Sequence, residues 1–323
     1  MEILTWSLIF VVALAVLIKS ADYFTEYSEK IGKILGVPQF IVGVSIVALG
    51  TSLPELVTSL IAVTQDYSSI VTANVVGSNI ANILMVCGLA AIYAREIIIE
   101  KSLIKLDLPI LSAITALLIV LIYDGQFTAL EGVVMMSSYI VYIAYNWHEH
   151  KQSKLQKLEE KVEEKISKAV DGKSKIRPFM IVALILSGIG IYFGANYTIS
   201  SIINLSELLN LAPAAIAISA VAIGTSLPEL IVSIQAARKK NYEMILGNII
   251  GSNILNAAIV MSIPSFISTL NVSSEVITVA IPFLIISTIL VTFSGIERRI
   301  FSFEGALYAL LYFVFIGQLF GFL

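Results

Sequence analysis

The heptapeptide GTSLPEL occupies residues 50–56 and returns letter for letter at residues 224–230. Each copy places a glutamate, Glu55 or Glu229, directly after a proline and inside an apolar run. A charge at bilayer depth is costly, so such a residue marks function unless a structural partner accounts for it. Pro54 and Pro228 have no N–H to give the carbonyl four residues back, that of Gly50 or Gly224. Irregular backbone at this depth is tolerated only where it lines a cavity or is buried in protein. On a helix, Thr51, Ser52, Glu55 and Ser59 share a face, and Thr225, Ser226, Glu229 and Ser233 repeat it.

The surrounding chain fixes the solvent. It is 58% hydrophobic and only 13% charged over 323 residues, with a mean hydropathy of +0.92. An ordinary soluble domain could not bury that much apolar surface. Runs long enough to cross a bilayer as helices, at about 1.5 Å per residue, fall near 3–20, 38–65, 70–93, 104–122, 127–147, 178–199, 211–237, 242–264, 275–294 and 303–322. The expectation is an all-α membrane protein of ten transmembrane helices with both termini on one side. The first run lacks a basic n-region and an A-x-A site and continues into Lys19 and Asp22, so it reads as a permanent helix rather than a signal peptide. The lone Cys87, within the third span, excludes an intramolecular disulfide.

Basic residues give the orientation. With the amino terminus outside, the inward segments follow spans 1, 3, 5, 7 and 9. They hold Lys19, Lys30, Lys33, Arg95, Lys101, Lys105, the lysines of 151–175, Arg177, Arg238, Lys239, Lys240, Arg298 and Arg299, which is all 20 Lys and Arg. The outward segments carry Glu2, Asp66, Asp124, Glu207 and Glu275 and no basic residue. That is the positive-inside pattern of a multi-pass protein of the cytoplasmic membrane.

A shift of 174 residues superposes GTSLPEL on itself and, without a gap, NVVGSNIANI at 74–83 on NIIGSNILNA at 248–257. It also lays SADYF at 20–24 on GANYT at 194–198, so the duplicated unit is a whole five-helix half. An odd-numbered unit must enter the membrane from opposite sides in its two copies. Two inverted five-helix repeats follow, with any substrate site at their shared midplane. The division expected is 1–147 for the first half, 148–177 for a cytoplasmic linker and 178–323 for the second half. The linker sequence KLQKLEEKVEEKISKAV places Leu155, Leu158, Val162 and Ile166 near one stripe, as in a solvated helix near the membrane surface or a partner-binding segment. His148 and His150 beside it read as solvated loop residues rather than a metal site.

In the helices that follow the two glutamates, Asn74, Ser78 and Asn82 align at i+4 spacing, as do Asn248, Ser252 and Asn256. Gly77 and Gly251 permit close helix approach. Bringing the four segments together collects two carboxylates, several amides, hydroxyls and freed carbonyls, and every group offered is oxygen. Calcium takes six to eight oxygens at about 2.3–2.6 Å and accepts irregular geometry, whereas softer metals ask for Cys or His. Two glutamates match the charge of one Ca2+, and the same oxygens suit Na+.

These paired motifs on two five-helix halves resemble the alpha repeats of the cation/calcium exchanger superfamily, particularly the prokaryotic sodium/calcium exchangers. The resemblance covers nearly the whole chain apart from the linker. It implies that Glu55, Glu229, Thr51, Ser52, Ser78, Asn82, Thr225, Ser226 and Ser252 carry the ions, with the two glutamates shared between Ca2+ and Na+. It further implies that the first and sixth helices slide across the other eight to alternate access. Asn256 departs from the pattern, since archaeal relatives often show an aspartate thought to be protonated there; an amide imitates the neutral acid. Gly50 and Gly224 complete the expected set through their carbonyls.

Two rivals remain on the residues alone. A proton/calcium exchanger is the nearest, but its relatives usually place histidine-containing motifs here, and no span holds a histidine. A cation channel also uses oxygen-lined helices. No nucleophile–histidine arrangement or Gly-rich phosphate loop is present, so enzymatic, ATP-hydrolysing and nucleic-acid functions have no support. The expected associates are Ca2+, Na+ and the lipid bilayer, with no cofactor and no obligatory protein partner.

Overall fold

The computed structural model describes residues 2–34, 51–99, 107–160 and 177–323. In chain order its apolar helices are α1 (Glu2–Ile34), α2 (Leu53–Thr64), α3 (Ser68–Ala94), α4 (Asp107–Leu121), α5 (Ala129–Glu160), α6 (Pro178–Leu209), α7 (Pro213–Arg238), α8 (Met244–Ser265), α9 (Val276–Glu297) and α10 (Ser302–Leu319). Seven are long and apolar enough to cross a membrane; α2, α4 and the apolar front of α5, Ala129–Tyr145, are shorter. The front of the second expected span, the start of the fourth and Gly50 lie outside the described residues. α5 continues without a break past residue 148 to Glu160, so the beginning of the polar linker is an extension of this helix. Residues 161–176 are outside the description.

The two halves are built alike down to their turns. α2 and the second part of α7, Leu227–Arg238, each begin with proline in the first turn and a serine at the N-cap, a position where proline's fixed φ suits the helix. Each ends on one tight turn with a left-handed residue, Asp66 at φ 64° and Lys240 at φ 54°. In that turn the N–H of Tyr67 donates to Ala62 O and that of Asn241 to Ala236 O, both at 2.9 Å. All of these pairs stand 174 positions apart.

Strand content is a feature that an all-helical reading did not anticipate. Antiparallel ribbons form between β1 (Glu96–Ile98) and β4 (Arg299–Phe301), and between β2 (Gln126–Phe127) and β3 (Leu270–Asn271). The 174-residue shift carries β1 onto β3 and β2 onto β4, so exchanging the halves turns one ribbon into the other. A third contact behaves the same way. Asn79 Nδ2 donates to Asn253 O at 3.1 Å, and Asn253 Nδ2 donates to Asn79 O at 3.3 Å. Reciprocity of this kind is the mark of a two-fold relation, in which residue i meets j and j meets i.

Burial grades outward from that contact. The apolar window of α3 is 83% buried, while those of α1 and α6 are 22% buried each. α3 therefore lies at the centre, whereas α1 and α6 pack along each other at the periphery. Gly194 lets the two backbones approach closely, since a Cβ there would stand 2.8 Å from the backbone of Leu17. At the centre, Gly77 on α3 presses on α7, with an ideal Cβ 2.6 Å from Ile218 O and 2.9 Å from its Cα. No described residue comes within 4 Å of the same position at Gly251.

Backbone cannot swing aside as a side chain can, so Gly77→Ala must separate α3 from α7. We expect a loss of stability on the order of 1–3 kcal/mol, typical of overpacking, read as a lower midpoint of thermal unfolding in detergent. Gly188→Ala, where a Cβ meets no described residue within 4 Å, should not lower that midpoint.

Candidate functional site

Glu55 and Glu229 sit in the first turns of α2 and Leu227–Arg238 and are completely buried. Their N-cap serines adopt nearly the same backbone, Ser52 at φ −90°, ψ 9° and Ser226 at φ −83°, ψ 1°. A serine at this position ordinarily accepts a hydrogen bond from the second or third helical N–H. Neither does so here. Both hydroxyls are buried and find no hydrogen-bond partner among the described residues, which leaves their oxygens free for something outside the helix.

The carboxylates are in the same condition. Both oxygens of Glu55 and Oε2 of Glu229 have no hydrogen-bond partner among the described residues, and Ser252 Oγ donates to Glu229 Oε1 at 3.3 Å. The two glutamates are near enough to act on each other electrostatically, and each also feels a hydroxyl of the opposite half, Thr225 for Glu55 and Thr51 for Glu229. An ionised carboxylate buried without a partner costs several kcal/mol. Two such groups acting on each other are relieved either by a bound cation or by taking up a proton.

On the helix segments packed against these two turns, Ser78, Asn82, Ser252 and Asn256 are all at most 1% exposed. Ser78 Oγ and Thr225 Oγ1 are 3.4 Å apart across the halves. Thr225 also donates to Val221 O at 3.1 Å, the back-bonding that a threonine in a membrane helix adopts for structural reasons. Neither amide atom of Asn82 or Asn256 has a partner among the described residues. These two asparagines lie at π-helical widenings, Ala81–Cys87 in α3 and Asn256–Val260 in α8. A π-bulge rotates the side chains of one turn and is frequent at functional sites. Even i+4 spacing gives no hint of it.

Gly224 also has a packing role. Pro228 leaves its carbonyl without the usual donor, but the Ser226 N–H turns back toward the carbonyls of Ala222 and Gly224, reaching Ala222 O at 3.1 Å. What the glycine secures is room for α1, because a Cβ there would meet Leu14 Cδ2 at 2.1 Å. The peripheral pair thus bears directly on the interruption that carries Ser226 and Glu229.

The halves differ one turn away from the glutamates. Asn248 Nδ2 donates to Ser233 Oγ at 3.2 Å and to Glu229 O at 3.1 Å. Its counterpart Asn74 reaches only Thr58 Oγ1 at 3.5 Å, and Asn74 Oδ1 and Ser59 Oγ find no partner among the described residues. No cluster of three or more His, Cys, Asp or Glu side chains occurs among the described residues. The set is therefore two carboxylates embedded in neutral oxygens, which suits a hard cation.

Fold and site together define an all-helical membrane-type protein with two buried carboxylates among hydroxyl and amide side chains at the contact between two like halves. The family model for sodium/calcium exchanger proteins matches residues 5–148 and 179–321. The chain is 32% identical to the sodium/calcium exchanger MaX1 of Methanosarcina acetivorans over 97% of its length and 98% of that protein. It is 29% identical to the inner membrane protein YrbG of Escherichia coli over 80% of its length and 78% of that protein. The structure of the sodium-calcium exchanger NCX_Mj soaked with Na+ and Sr2+ superposes with a TM-score of 0.65 at 29% identity, covering 98% of each chain. The chain belongs to the sodium/calcium exchanger family.

The two carboxylates are the only formal charges in the set, so neutralising either removes half of what balances a divalent ion. Glu55→Gln and Glu229→Gln should each fold, since glutamine keeps the shape, and each should lower calcium uptake into proteoliposomes by more than about tenfold, the factor that corresponds to roughly 1.4 kcal/mol. Retention of most uptake in both single variants would remove these residues from the site.

Proposed function

We propose that this chain is a secondary active antiporter that exchanges Ca2+ for Na+ across the cytoplasmic membrane by alternating access, and that it extrudes Ca2+ electrogenically. The observation that carries this reading is the pair of buried glutamates without sufficient partners, set among neutral oxygens where the halves meet. Ca2+ is bound by Glu55 and Glu229 with Thr51, Ser52, Ser78, Asn82, Thr225, Ser226, Ser252 and Asn256 supplying further oxygens. Na+ uses the same carboxylates together with hydroxyls and amides at their margins. Both ions are substrates of the exchangers to which the chain is similar, and no cofactor takes part.

In this reading the ten apolar helices are ten spans in two inverted repeats, 1–147 and 178–323, joined by a cytoplasmic linker over 148–177. The reciprocal contacts between the halves support the inversion. So does the distribution of charge on the ribbons. β1 and β4 are flanked by Arg95 and Arg298 and include Arg299, whereas Asp124 and Glu275 flank β2 and β3. The first ribbon faces the cytoplasm and the second the exterior, with both termini outside.

Coupling follows from charge arithmetic. Two carboxylates suffice for one Ca2+, while neutral oxygens hold additional Na+ without a carboxylate for each. More than two Na+ then return per Ca2+, and each cycle carries net positive charge inward. A membrane potential contributes roughly 2.3 kcal/mol per elementary charge at 100 mV, so an inside-negative potential favours Ca2+ extrusion. Proteoliposomes with opposed Na+ and Ca2+ gradients and a clamped potential should show Na+-dependent Ca2+ flux that slows when the potential is reversed. Sodium-dependent flux unchanged by that reversal would establish electroneutral exchange. Flux driven by a pH gradient and indifferent to Na+ would make the protein a proton/calcium exchanger, and flux needing no counter-ion gradient would make it a channel.

A further inference from the structure

The peripheral helix pair sits unevenly on an otherwise two-fold bundle. α6 packs along α2, whereas the corresponding contact of α1 with Leu227–Arg238 is sparse. On the well-packed side a polar link spans the two bodies, with Gln65 Nε2 donating to Asn196 Oδ1 at 2.9 Å. The repeat shift carries Gln65 onto Lys239 and Asn196 onto Asp22. Gln65 and Lys239 are the C-caps of equivalent helices, at φ −102°, ψ 14° and φ −88°, ψ 2°. Both are followed by the same left-handed residue and the same 2.9 Å hydrogen bond. The receiving turn for Asp22 is thus already built.

Asp22 is not on that turn here. Its carboxylate lies 3.4 Å from Lys19 Nζ, with side chains 42% and 69% exposed respectively, and no ion pair joins it to Lys239 among the described residues. The adjoining Arg238 is occupied elsewhere, its Nε donating to Tyr93 Oη at 3.2 Å. One of two equivalent contacts is made and the other is open.

From this broken symmetry we infer that Gln65–Asn196 and Lys239–Asp22 are alternating contacts, the first holding the α1–α6 pair on α2 and the second holding it on Leu227–Arg238 at the other end of its travel. The inference rests on the alternating-access reading above and adds to it the residues that fix each end. None of the four is among the site residues named above, although the Asp22 carboxylate acts electrostatically on Glu229; they are positioning residues. The two ends differ in chemistry, because one contact joins two neutral amides and the other an ammonium and a carboxylate near the surface. The second is screened by salt and the first is not. Lys19 competes for Asp22 and so favours the arrangement seen here.

Two double-cysteine variants in a Cys87→Ala background test this, Gln65→Cys with Asn196→Cys and Asp22→Cys with Lys239→Cys, oxidised in proteoliposomes. Both pairs should form disulfides, each disulfide should stop Na+-dependent Ca2+ flux, and a reductant should restore it. Adding Gln65→Ala to the second pair should speed its linking by at least twofold, an effect that general destabilisation of the fold would not produce selectively over the first pair. As a check free of cysteines, Asp22→Lys and Lys239→Asp should each slow flux, and the two together should recover most of it. Failure of the Asp22–Lys239 pair to link in a protein that transports, or transport at the parental rate with that pair linked, would overturn the inference. Linking is read whatever ion is carried. If both pairs link with the expected response to Gln65→Ala and no Na+-dependent Ca2+ flux occurs, the exchange reading fails and the alternating contacts stand.

Discussion

A carboxylate that leaves water must acquire a counter-charge or a proton, and this chain buries two with no ion pair to either among the described residues. Everything near Glu55 and Glu229 is arranged around that deficit. The N-cap serines forgo their usual hydrogen bonds, and the Asn82 and Asn256 amides sit at widened turns without partners among the described residues. A stable soluble protein would satisfy these groups internally, since each unsatisfied polar atom costs on the order of 1–3 kcal/mol. Their persistence at one point is intelligible if a transported cation supplies the missing interactions and then withdraws them.

Duplication explains how one small motif can build the whole site. A single half offers one carboxylate on one broken helix. The two-fold relation, visible in the exchanged Asn79 and Asn253 amides and in the paired ribbons, places a second carboxylate opposite the first. The peripheral helices follow it less closely, since they pack more fully against one half of the bundle than against the other. Departures from that symmetry are local. They occur in the seat of α6 on α2, and in the bonding of Asn248 where Asn74 has almost none.

Much of this was legible in the sequence because hydrophobic length and exact repetition are one-dimensional signals. The apolar runs, the identical GTSLPEL copies and the constant shift of 174 are sufficient to pair the helices and to nominate Glu55, Ser52, Asn82 and their counterparts. What escaped depends on neighbours distant in the chain. Nothing local announces that β1 will meet β4, that α3 and α8 widen at Asn82 and Asn256, or that Gly224 lies beneath Leu14. Asn79 and Asn253 were visible only as motif letters, although their identical offset was a usable clue to a contact on the two-fold itself.

The central claim is that the two glutamates share a single divalent ion, and the stoichiometry of binding tests it most directly. Equilibrium dialysis of the purified protein against radioactive calcium should find one Ca2+ per chain, displaced by Na+, and none in the Glu55→Gln, Glu229→Gln double variant. Two Ca2+ per chain, or undiminished binding by that double variant, would contradict a shared midplane site.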